Sequence, residues 1–124
     1  MHISIGTDII EVHRIRKAIE EYGERFLRRI CTELEIEYCE QFGEKKYLHY
    51  AARFAAKEAF SKAIGTGISE GFKFREIGVV NKDSGKPIIK LEGEMLERWG
   101  EYIFDISLSH TDDNAVAFVI CYKQ

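Results

Sequence analysis

Proline occurs once, at Pro87, so no proline-rich linker divides the chain. Cysteine occurs three times, an odd number without a C-x-x-C pair. That argues against a disulfide framework and against a cysteine zinc site, and it suits a reducing compartment. No apolar run approaches the about 18 residues of a membrane span. The first residues lack the basic and then apolar pattern of a secretory signal. A cytoplasmic protein with no membrane association is therefore expected. An excess of positive charge is also missing. The net charge is −3, so nothing global points to nucleic acid. What remains is 124 residues, 45% apolar and 31% charged, without internal repeats or low-complexity tracts. This composition fits one globular domain over residues 1–124 with one modest core.

The chain is punctuated into short elements. Ile3, Ile5 and Ile9 recur at period two and predict a strand over His2–Ile10, with Asp8 on the opposite face. Helices are expected over Glu11–Tyr22, Glu24–Ile30, from a Thr32/Glu35 capping box to Gln41, and over Lys45–Ile64. Strands are expected over Glu76–Lys82 and Pro87–Leu91 around the turn Lys82–Lys86. A short helix over Glu94–Gly100 and two strands, Tyr102–His110 and Ala115–Tyr122, complete the pattern. Helices come first and antiparallel strands later, so the expected class is α+β, an antiparallel sheet packed on a long amphipathic helix.

That long helix, AARFAAKEAFSKAIGTG from Ala51 to Gly67, carries the chemistry. At 100° per residue its alanines gather on one side; Arg53, Lys57, Glu58, Ser61 and Lys62 gather on the other. Glu58 and Lys62 suit a solvated i,i+4 pair. Arg53 and Lys57 repel at the same spacing, which makes sense beside an anion. Gly65-Thr66-Gly67 reads either as a helix C-cap or as backbone kept open for a ligand. Asp8 serves as a cap or turn residue, or, paired with Glu58, as a ligand for a hard cation such as Mg²⁺. A carboxylate pair beside cations points to a polyphosphate substrate.

Three blocks, IGTDIIEVHRI (Ile5–Ile15), RFAAKEAFSKAIGTG (Arg53–Gly67) and LSHTDDNAVAFV (Leu108–Val119), resemble the holo-acyl-carrier-protein synthases in order and separation. These are the small bacterial 4'-phosphopantetheinyl transferases. The resemblance implies transfer of phosphopantetheine from coenzyme A to a serine of apo-acyl carrier protein, releasing adenosine 3',5'-bisphosphate. It implies Mg²⁺ on Asp8 and Glu58, and a homotrimer binding coenzyme A between neighbouring subunits. In that frame Lys62 stabilises or protonates the leaving phosphate, while Arg53 and Lys57 contact coenzyme A phosphates. Gly65 and Thr66 approach the nucleotide, and His110 is a further coenzyme A contact.

Six of the 18 Lys and Arg residues lie between His13 and Arg29. Arg14, Lys17, Arg25 and Arg28 are the candidates for docking an acidic carrier helix, interrupted by enough acid to suit a solvated face as well. The competing functional class is a non-catalytic trimeric module that binds an acidic helical partner. Asp8 separates the two, because a binding module has no use for an aspartate paired with Glu58.

Overall fold

The structure is a computed structural model that describes residues 2–69 and 71–124. Strand β1 (Ile3–Glu11) leads into α1 (Val12–Tyr22), α2 (Glu24–Ile30), α3 (Glu33–Glu40) and the long α4 (Lys46–Ala63). The hairpin of β2 (Ile77–Asn81) and β3 (Pro87–Leu91) follows, then α5 (Gly93–Trp99), β4 (Ile103–His110) and β5 (Asn114–Tyr122). The α+β expectation holds. β1, β5 and β4 form an antiparallel sheet in that order, and β2–β3 form a separate two-stranded sheet.

Local chemistry explains the boundaries. Thr32 Oγ1 accepts from Glu35 N–H while Glu35 Oε1 accepts from Thr32 N–H, so the capping box opens α3 as its sequence demands. Gly23, at φ 58°, separates α1 from α2 in a conformation that costs glycine little.

β1 turns an unexpected face inward. Gly6 is buried against α4, and a Cβ there would meet the backbone of Ala59 and Ala63. The face with Ile3, Ile5 and Ile9 points away from α4 and is exposed, at 57%, 61% and 66%. Phe118 on β5 and Ile103 on β4 are exposed too. Phe118 stands opposite Thr7 in the register, and Ile103 pairs with Tyr122, which also stands opposite Ile3. One side of the three-stranded sheet is thus an uncovered apolar surface, while the other packs on α4 around Ala55, Ala59, Phe60 and Ala63.

Candidate active site

α4 is enclosed more completely than its charges predict. From Tyr50 to Ala63 only Phe54, Glu58 and Lys62 are not buried. These are i, i+4 and i+8, a single stripe along one edge of the helix. β1 runs beside it at van der Waals range because Gly6 has no side chain. Two residues further on, β1 presents Asp8 to the stripe, in register with Ala117 of β5.

Lys62 Nζ lies 3.3 Å from Asp8 Oδ1 and donates to the Thr7 carbonyl at 3.0 Å. The cation expected to pair with Glu58 along the helix therefore crosses to the strand. Glu58 itself has no ion-pair partner within 4.0 Å among the described residues. Its carboxyl is pushed above the usual carboxylate range, first by burial and then by the charge of Asp8, while Lys62 pulls the other way. Asp8 and Glu58 line one cleft of about 360 Å³ with Ile10, Arg14, Phe26 and Phe54. Phe26 and Phe54 also wall a larger hollow of about 700 Å³ with Phe72, Phe74 and Ile68.

Two expected phosphate contacts are enclosed within the single chain. Lys57 is 0% exposed. Its ammonium donates to Glu35 Oε1 at 2.6 Å, to the Phe74 carbonyl at 3.1 Å and to the Ile30 carbonyl, which uses all three of its protons. Arg53 is 3% exposed, donates to Asn81 Oδ1 at 2.7 Å and lies over the Tyr38 ring. Neither is displayed to an anion in the single chain. Lys57 is neutralised by Glu35, whereas Arg53 meets only the Asn81 amide and the Tyr38 ring and keeps a buried Nε without a partner.

Gly65 and Gly67 both have positive φ, 85° and 61°. Their N–H groups close the last turn of α4 on the Lys62 and Ser61 carbonyls. The double glycine is thus accounted for by the cap, and Thr66 donates to the Gly67 carbonyl at 2.9 Å. Both glycines directly follow the Lys62 end of the stripe. His110 ends β4 in a different cavity, with His49, Lys45, Tyr47 and Arg16. It does not meet Asp8 or Glu58 within one chain.

Of the basic candidates, Arg14 opens on the Asp8–Glu58 cleft, and Arg25 lines a neighbouring hollow with Tyr22 and Phe26. Arg14, Lys17 and Arg25 have no ion pair among the described residues, whereas Arg28 is engaged by Glu24 at 3.6 Å and by Glu33. Sequence reasoning missed Gly6 and the second role of Glu35. An isolated glycine inside a strand is itself a sign of close backbone approach and marks Gly6. Nothing local marks Glu35 as the partner of a lysine 22 positions away.

The α+β frame that holds this site is shared with known proteins. A family model described as the 4'-phosphopantetheinyl transferase superfamily matches residues 4–119, and the chain belongs to that superfamily. Within it, the chain is similar to the holo-[acyl-carrier-protein] synthase of Ruminiclostridium cellulolyticum, 47% identical over 97% of this chain and 92% of the relative. The holo-[acyl-carrier-protein] synthase of Bartonella bacilliformis is 46% identical, over 97% and 95%. A crystal structure of a holo-(acyl-carrier-protein) synthase from Bacillus anthracis in complex with CoA (3',5'-ADP) superposes with a TM-score of 0.83. It is 40% identical and the match covers 98% of this chain and 96% of that one.

Proposed function

We propose that this chain is a holo-acyl-carrier-protein synthase. It moves the 4'-phosphopantetheine group of coenzyme A to a serine of apo-acyl carrier protein and releases adenosine 3',5'-bisphosphate. The observation that carries this reading is that Asp8 and Glu58 line one cleft, with Lys62 paired to Asp8, in a chain whose relatives bear that name. The serine oxygen forms the new bond to phosphorus and gives up its proton through water, while the pyrophosphate P–O bond breaks and its electron pair leaves on the bisphosphate.

Asp8 and Glu58 suit Mg²⁺. They are two carboxylates sharing one cleft, and Mg²⁺ is commonly held by one or two carboxylates with substrate phosphates and waters. The protein's share of such a site would be this pair. When bound, the ion supplies neutralisation of pyrophosphate oxygens. Lys62 Nζ, held beside Asp8, stands ready to take up charge on the departing phosphate. Gly65 and Thr66, at the same end of the stripe, offer backbone to the nucleotide. Phe54, at the other end, gives the pantetheine arm an apolar wall continuous with the aromatic hollow.

Two observations support a homotrimer with sites between subunits. The Ile3–Ile5–Ile9 face needs a cover that the single chain does not supply. His110 lies in a cavity separate from the Asp8 cleft, as a coenzyme A contact supplied by another copy would. We read residues 1–124 as one transferase domain per subunit. We place it in the cytoplasm, where its three buried free cysteines stay reduced; no helix among the described residues is long and apolar enough to cross a membrane.

The direct test is release of adenosine 3',5'-bisphosphate from coenzyme A, followed chromatographically. It should require both apo-carrier and Mg²⁺; release without carrier would mean a phosphohydrolase instead. Lys62→Ala should lower kcat about a hundredfold, as loss of a charge-stabilising donor does, with little change in coenzyme A affinity. An equal loss in both would make Lys62 a binding residue only. Arg14→Glu should raise the KM for carrier about tenfold at low salt and flatten its salt dependence. An unchanged KM removes Arg14 from the docking surface.

A further inference from the structure

Lys57 is fully buried one residue before Glu58, which lines the cleft with Phe54 of the same helix. Burying an ion pair is weak evidence of stabilisation, since neutral groups of similar shape often do as well. Directional bonds, however, fix geometry in a way that apolar contact does not. The partners of this pair are therefore informative. Lys57 donates to the carbonyl of Ile30, the last residue of α2. Glu35 accepts from Lys57 through Oε1 and from Val79 N–H through Oε2 at 2.8 Å, and its Oε1 also caps α3. Phe74, the third acceptor of Lys57, belongs to the aromatic hollow. One buried ammonium thus ties α2, α3 and the Phe74–Glu76 turn to α4 beside the catalytic carboxylate.

α2 needs such a tie. It carries Arg25, Arg28 and Arg29 on its exposed side, and it packs mainly on α1 and on the Phe74–Glu76 turn rather than broadly on α4. Leu27 and Ile30 reach the cluster around Tyr50, Ala51 and Ala52, an apolar contact that tolerates sliding. The next carbonyl, Cys31, is held from the same turn by Arg75 Nε at 3.1 Å. Two consecutive carbonyls at the end of α2 are therefore pinned by two cations.

We propose that the Lys57–Glu35 pair is a positioning device that keeps the arginine-bearing α2 in register with the Asp8–Glu58 cleft, and so sets affinity for the acidic carrier rather than for coenzyme A. This rests on the transferase reading above. Wild-type protein that forms no holo-carrier would sink that reading first, before any variant is compared.

The test is Lys57→Met/Glu35→Gln, which removes both charges together and keeps a residue able to close the capping box. The expected result is a folded protein whose KM for carrier rises on the order of tenfold, while KM for coenzyme A and kcat stay within about twofold. An unchanged carrier KM, or an equal rise in both KM values, overturns the proposal. Should the double variant fail to fold, Arg75→Gln serves instead, because Arg75 is half exposed and its loss frees the Cys31 carbonyl together with one long surface contact to Glu33 at 3.7 Å. Its carrier KM should rise about threefold with the salt dependence unaltered, since positioning and not a carrier charge contact is lost. No rise, or a rise with a flattened salt slope, contradicts it.

Discussion

Asp8→Ala should lower phosphopantetheine transfer by about a thousandfold, roughly 4 kcal/mol of transition-state stabilisation, while the protein stays folded and still binds carrier. Three consequences follow from the one change. The cleft loses one of its two carboxylates, Lys62 loses the partner 3.3 Å away, and Glu58 loses the neighbouring charge that raises its affinity for protons. Asp8 packs in no core cluster and is partly exposed, so its removal leaves the sheet intact. The measurements are turnover with apo-carrier across a magnesium titration, and carrier affinity by calorimetry. A loss of carrier binding equal to the loss of transfer would show that Asp8 shapes the docking surface rather than the chemistry.

Gly6→Ala, by contrast, should unsettle the whole frame. The new methyl would meet backbone, 2.6 Å from Ala63 N and against the Ala59 carbonyl, and backbone cannot rotate away as a flexible side chain can. α4 must back off from β1. The expected cost is about 3 kcal/mol, the upper part of the usual range for overpacking. The same displacement widens the gap from Asp8 to Glu58 and Lys62, because the glycine lies two residues before Asp8 and packs on the turns of α4 that carry them. Activity of the folded fraction should fall with stability. Thermal unfolding and turnover check this together, and a variant with unchanged melting temperature and rate would show that α4 is held by something other than close approach to β1.

Most of the fold was legible because its signals are local. Alternating isoleucines, the Thr32–Glu35 box, Gly23 and the Lys82–Lys86 turn each mark a boundary through chemistry within a few residues, and the observed elements follow within a residue or so. Asp8, Glu58 and Lys62 were legible as a group only because strand and helix could be read with their faces. What resisted was long-range. Period two tells that β1 has an isoleucine face and an Asp8 face, yet it does not tell which one meets α4. The isoleucines are the stronger apolar signal, but Gly6 decides, because only its face admits a helix so closely. The charged side of α4 misled for the same reason. A helical wheel separates Lys57 and Arg53 from the alanines, but their partners Glu35 and Asn81 come from α3 and β2, and no periodicity announces a buried pairing across 22 or 28 positions.

The most direct measurement is the intact mass of an apo-acyl carrier protein after incubation with this protein and coenzyme A, with and without Mg²⁺. The expected result is a gain of one phosphopantetheine arm on the carrier, only when Mg²⁺ is present. An unmodified carrier that nonetheless binds the protein would contradict the transferase reading and leave a module that recognises acidic helices through Arg14 and its neighbours.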